Sequence, residues 1–187
     1  MKNIKISCSV GFLLLLAGLI YLDGPKLFFQ IFSACALHEA GHFVAVILTG
    51  SNVHSLRLTA VGAEMKLIPQ ITLSYKQDLL IAIAGPCVNL LLTWVSIQVD
   101  AYLFAGINLC FGVLNLLPVF PLDGGRILSC VLSYFWPVTA DKLICVISTM
   151  FSGALLGVGW AAWRGWGNLS MLYTATWLMV GAIKGKK

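Results

Sequence analysis

Apolar runs close to the length of a bilayer crossing recur along this chain, and no other feature limits its fold as strongly. Residues 27–49 form one such run of 23 positions; 78–99, 101–117, 143–163 and 169–183 follow it, and a shorter run, 10–22, precedes it. A helix needs about 20 mostly apolar residues to cross a hydrocarbon core of about 30 Å. Hydrophobic residues make up 59% of the chain and charged residues only 10%, against about 45–50% and about 25% in soluble domains. That balance excludes a soluble globular domain, a disordered chain and a disulfide-rich secreted module. With 187 residues, the expectation is an all-α polytopic membrane protein of about six transmembrane helices, a single domain over 1–187 set in the lipid bilayer.

Two stretches depart from this pattern. In residues 51–76, Val53, Leu56, Leu58, Val61, Met65 and Leu67 alternate with polar positions around Gly62. This predicts a short membrane-associated β-hairpin between helices 2 and 3. After residue 117, Pro118, Pro121 and Asp123-Gly124-Gly125 predict a helix break, followed by a short apolar segment, 127–136, closed by Pro137. Lys2 and Lys5 before the first run resemble a secretory signal, but no clear A-x-A cleavage site follows that run. The run is therefore read as a first anchor.

The net charge is +5, from 12 Lys and Arg against 7 Asp and Glu. In a soluble protein this would raise a nucleic-acid partner. Here the basic residues lie at the ends and in the connections, so no nucleic acid is expected, and they serve to orient the chain. With the N-terminus in the cytoplasm, the inner side carries Lys2, Lys5, Arg57, Lys66, Lys76, Arg126, Lys142, Lys184, Lys186 and Lys187; the outer side carries Lys26 and Arg164. Both termini are therefore expected inside. The six cysteines form no C-x-x-C pair and are read as reduced core residues.

Within the 27–49 run stands His38-Glu39-Ala40-Gly41-His42, an H-E-x-x-H motif. On a helix, positions i and i+4 share a face, so both imidazoles can reach one zinc ion. Glu39 lies beside them, placed to take a proton from water at the metal. Three ionisable residues in five positions of an apolar span are costly unless a partner compensates them. A catalytic zinc takes three protein ligands, and the pool for the third is Asp23, Asp78, Asp100, Asp123, Asp141, Glu64, His54 and the cysteines. Asp123 is the best of these, since it follows an apolar span and is flanked by glycines that permit close backbone approach. His42 lies eight residues before Gly50, about 12 Å below the inner surface at 1.5 Å per residue. Asp123 also lies at an inner end.

The order and spacing of three motifs carry a resemblance. His38–His42, then Gly85-Pro86-x-x-Asn89, then Asn115-Leu116-Leu117-Pro118-Val119-Phe120-Pro121-Leu122-Asp123-Gly124-Gly125 resemble the site-2 protease family of intramembrane zinc metalloproteases (peptidase M50). The core so covered is about 27–126. The chain is especially similar to the sporulation-type branch that processes a membrane-tethered pro-sigma factor, though without that branch's nucleotide-sensing CBS domain and without a PDZ insertion. The resemblance implies one Zn2+ held by His38, His42 and Asp123, with Glu39 as general base and then proton donor to the leaving amine. It places Asn89 near the active site, either binding substrate backbone or making an interhelical hydrogen bond. Gly85-Pro86 is read as a helix irregularity. The implied partners are a membrane-tethered protein substrate and inhibitory or scaffolding membrane proteins. The implied setting is a bacterial cytoplasmic membrane, with the site toward the cytoplasmic side. The competing reading is a non-hydrolytic zinc-binding scaffold or transporter, which has no need of Glu39 and would typically show repeats or polar residues spread over several spans.

Overall fold

The computed structural model describes residues 5–8, 10–51, 53–59, 62–67 and 73–166, with Leu172, Ala175, Thr176 and 178–180 beyond them. Among these the chain is nearly all helical. In order it runs β1 (Lys5–Cys8), α1 (Val10–Leu48), β2 (Val53–Thr59), β3 (Gly62–Leu67), α2 (Tyr75–Gln98), α3 (Tyr102–Asn115), α4 (Asp123–Phe135) and α5 (Ala140–Trp166). Three stretches are long and apolar enough to cross a membrane: Gly24–Leu48, Tyr75–Gln98 and Ala140–Gly165. Their outer surfaces carry large apolar side chains, such as Ile47, Leu80, Trp94 and Met150, exposed on the protein, as lipid-facing helices require. Most of the 169–183 run lies outside the described residues.

The chain divides into two compact units, Met1–Gly112 and Val113–Lys187. In the first, α1 breaks at Gly24, where φ is 79°, and Pro25 follows. Glycine tolerates that left-handed φ without steric cost, and proline cannot donate back into the preceding turn. β1 pairs parallel with β2, and β2 pairs antiparallel with β3. A capping box starts α2: Ser74 Oγ accepts from Gln77 N, and Gln77 Oε1 accepts from Ser74 N, satisfying two donors at the helix start. Gln77 Nε2 also donates to Thr49 O at 3.1 Å, tying the head of α2 to the tail of α1. The two helices approach closely along small residues. A Cβ at Gly41 would stand 2.8 Å from Val88 Cγ2 and 2.9 Å from Ala84 O, and Ala34 and Ala82 are fully buried. Small residues at such an interface let backbones come together where lipid supplies no hydrophobic drive. Asp100, with φ 57°, turns the chain from α2 into α3. Thr93 Oγ1 bonds both Asn89 O and Ala105 O, at 2.9 and 3.4 Å.

In the second unit, the segment between α3 and α4 folds through turns closed by Leu116 N–Val113 O and Leu122 N–Val119 O, at 3.2 and 2.8 Å. The sequence expectation of a break over Asp123-Gly124-Gly125 is corrected here, because these residues form the first turn of α4. The glycines serve close approach instead. A Cβ at Gly124 would collide with the carbonyls of Leu116 and Leu117, and one at Gly125 would lie 2.7 Å from the backbone of Val119 and Phe120. The loop thus folds down onto the start of the helix. From α5, Ser148 Oγ accepts from Phe120 N at 3.2 Å, and Ser148 is 1% exposed. The expected span 101–117 also shortens. α3 has 14 residues, about 21 Å of helix, because its end gives way to the turns before Pro118.

Candidate metal centre

His38 and His42 lie one turn apart on α1, facing α2, and each is 5% exposed. His42 Nδ1 is 2.7 Å from Ile81 O. A carbonyl oxygen only accepts, so this nitrogen carries the proton. His38 Nδ1 is 2.5 Å from Asn89 Oδ1, which places a proton there too. In the neutral rings each Nε2 is then the acceptor nitrogen, and the two stand 3.1 Å apart. Two acceptor nitrogens converging at that distance match the way a pair of imidazole ligands meets one cation. Two Zn–N bonds of about 2.0–2.1 Å at the tetrahedral angle separate their nitrogens by about 3.3 Å. The pair therefore fits zinc, and the Nδ1 partners supply the orienting bonds that metal-binding histidines need.

α2 builds the other wall. A Cβ at Gly85 would lie 2.6 Å from His42 Cε1 and 2.8 Å from His38 Cε1. The reading of Gly85-Pro86 as an irregularity and not a contact is thus corrected, because glycine makes the room in which both rings sit. Pro86 is an irregularity as well. It has no N–H for Ala82 O, next to the carbonyl that holds His42. Asn89 is 0% exposed, and its amide is engaged within the protein: Nδ2 donates to Ala34 O at 3.3 Å and to Asn108 Oδ1 at 2.8 Å. Of the two roles weighed for Asn89, the interhelical hydrogen bond is the one these contacts describe.

Glu39 is half-buried on α1 between the two histidines in sequence. Asp123 opens α4 in the second unit and is 8% exposed; a carboxylate at a helix N-terminus is favoured by the helix dipole. Three members of the remaining pool for a third ligand have local explanations. Asp78 and Asp141 sit in the first turns of α2 and α5, and Asp100 accepts from Tyr102 Oη at 2.6 Å. The side chains of Asp23, His54 and Glu64 lie outside the described residues. Asn108 and the Ile81 carbonyl went unmarked in the sequence. Asn108 offered a signal, as a polar residue inside an apolar run.

The fold and the histidine pair define a helical membrane protein with an H-E-x-x-H candidate metal centre. The family model for Peptidase family M50 matches residues 96–156. The zinc metalloprotease MJ0392 of Methanocaldococcus jannaschii is 32% identical over 152 residues, covering 70% of this chain and 43% of that protein. Stage IV sporulation protein FB of Bacillus subtilis is 27% identical over 156 residues, covering 78% and 54%. The solved site-2 protease from Methanocaldococcus jannaschii superposes with a TM-score of 0.71 at 25% identity, over 100% of this chain and 94% of that one. Family model, relatives and solved structure together support the peptidase M50, or site-2 protease, family for this integral membrane protein. The chain spans about two fifths of the length of the first of these curated relatives.

Proposed function

We propose that this chain is an intramembrane zinc metalloprotease that hydrolyses a peptide bond in or near a transmembrane segment of a membrane-tethered protein. The observation that carries the reading is the convergence of His38 Nε2 and His42 Nε2, 3.1 Å apart, on two buried rings of an apolar helix pair, next to Glu39 in sequence. His38, His42 and Asp123 would hold the ion. All three are buried, and each offers one ligand atom. Zinc, when bound there, supplies a Lewis acid that activates water near neutral pH and polarises the scissile carbonyl. Glu39 takes the proton of the attacking water and returns it to the leaving amine. Asn89 and Ile81 O hold the histidine rings in register.

A peptide bond inside a helix has its backbone paired, so the substrate must unwind first. In this reading β2 and β3 lie at the membrane surface and offer an edge to the extended substrate. The chain acts as one domain with about six spans, both termini and the site toward the cytoplasm of a bacterial cell. Similarity to a stage IV sporulation protein makes a membrane-tethered pro-sigma factor the first substrate to try, with inhibitory or scaffolding membrane proteins as regulators.

Co-expression with such a tethered substrate tests the reading. Glu39→Gln should keep wild-type zinc content and lose cleavage by about 10²–10⁴-fold, the usual contribution of a positioned base. A variant that holds zinc and cleaves as fast as wild type would sink it.

A further inference from the structure

Asn89 does not set the His38 ring on its own, because an amide can hydrogen-bond either way round. Turned over, it would present Nδ2 to His38 Nδ1. The ring would then take the opposite tautomer, with its proton on Nε2 where a metal must bind. The bonds around Asn108 remove that choice. Asn108 Nδ2 donates to Phe104 O at 2.9 Å, and a backbone carbonyl can only accept. That fixes Asn108 with Oδ1 toward α2, where it accepts from Asn89 Nδ2 at 2.8 Å. Ala34 O, a second carbonyl, accepts from the same Nδ2 at 3.3 Å. Asn89 Oδ1 is left facing His38 Nδ1. Both asparagines are 0% exposed, so no water competes for these positions.

We propose that Asn108 on α3 is a positioning residue for the metal centre: through Asn89 it locks His38 in the tautomer whose Nε2 can bind zinc. The polarity starts at the Phe104 carbonyl and passes through two amides to the imidazole, linking α3, α2 and α1. His42 is held separately, by Ile81 O at 2.7 Å, so its tautomer is independent of Asn108. This inference rests on the reading of His38 as a zinc ligand, but its consequence is visible in the metal-free protein.

The chain has three histidines, which makes selective ¹⁵N-histidine labelling of the detergent-solubilised, metal-free protein tractable. In wild type, the His38 and His42 signals should both show a protonated Nδ1. Asn108→Leu should remove that signature at His38, leave it at His42, and weaken zinc binding about ten-fold in a chelator competition. Asn108→Asp should retain the His38 signature, since either protonation state presents an acceptor oxygen to Asn89 Nδ2. A packing role alone would disturb both histidines or neither. If His38 keeps its protonated Nδ1 in Asn108→Leu, the proposal is overturned. If that variant does not fold, Asn108→Asp decides: loss of the signature at His38 with His42 intact overturns the proposal, and retention supports it. Wild-type protein that binds no zinc removes the protease reading, whereas zinc affinity unchanged by Asn108→Leu removes only the relay.

Discussion

A methyl group at position 85 would compete for the space of two imidazoles, and this makes Gly85 the most sensitive neighbour of the metal centre. Helix propensity alone favours alanine over glycine by about 0.5–1 kcal/mol, so Gly85→Ala ought to strengthen α2. Packing opposes that gain: the added carbon would lie within 2.8 Å of both rings, and overfilling a packed site costs about 1–3 kcal/mol. The rings can yield only by leaving Asn89 and Ile81 O. Gly85→Ala should therefore keep its helix content by circular dichroism and bind zinc at least about ten-fold more weakly. Gly157→Ala, on a face with nothing within 4 Å, should match wild type in both measurements, and an equal loss there would refute the steric account. The contrast also marks what the sequence could reveal. His38, Glu39 and His42 are one helical turn, so their shared face follows from spacing alone. Gly85 meets them across a helix pair, 43 residues after His42, and nothing in a Gly-Pro dipeptide says what faces it.

At the level of elements, three apolar spans and the H-E-x-x-H turn were legible because each is a local pattern, a run of length or a period of 3.6. The start of α4 was not. Proline and glycine around Asp123 signalled a break, and the break is there, but it ends at Leu122 and the glycines belong to the helix that follows. What distinguishes the two cases is the contact of loop backbone with helix backbone, which composition does not encode. The loop is also tied to α5, outside the motif-bearing stretch. Ser148→Ala would leave the part-buried Phe120 N–H without the oxygen that it now meets at 3.2 Å, and a fully buried donor so left costs about 1–3 kcal/mol, an upper bound here. Ser152 Oγ, which accepts no such loop bond and donates to Ser148 O at 2.7 Å, provides the comparison. Ser148→Ala should lower the thermal midpoint in detergent and reduce cleavage together, while Ser152→Ala should lower the midpoint with a smaller effect on cleavage. Equal effects of the two would mean that α5 contributes only packing and not a hold on the loop that leads into Asp123.

For the whole molecule the open quantity is orientation, and the charge distribution makes a prediction about it. Ten of the twelve Lys and Arg residues fall on one side when the runs are threaded alternately through a bilayer, and basic residues near span ends are retained in the cytoplasm. The same threading places the 50–76 and 118–142 connections on that side. In that threading the stretch Gly24–Leu48 ends on the same side, with His42 about 9 Å from its end, so water and an unwound substrate would arrive from the cytoplasm. Reporter fusions test this without reference to catalysis. A fluorescent protein, which matures only in the cytoplasm, should light up when joined after Lys142 or Lys187. Alkaline phosphatase, which folds only outside, should be active after Lys26 and after Arg164 and inactive after Lys76. Active phosphatase after Lys76 would invert the molecule and put the metal centre at the opposite surface. It would also remove a cytoplasmic transcription factor as the released product, while leaving the metal chemistry of His38 and His42 untouched. The inner excess comprises lysines 2, 5, 66, 76, 142, 184, 186 and 187 and arginines 57 and 126. Of these, Lys184, Lys186 and Lys187 follow the last run, and replacing all three with glutamine should leave the Lys76 and Lys142 fusions unchanged. Orientation would then be carried by the other seven charges and not by the tail.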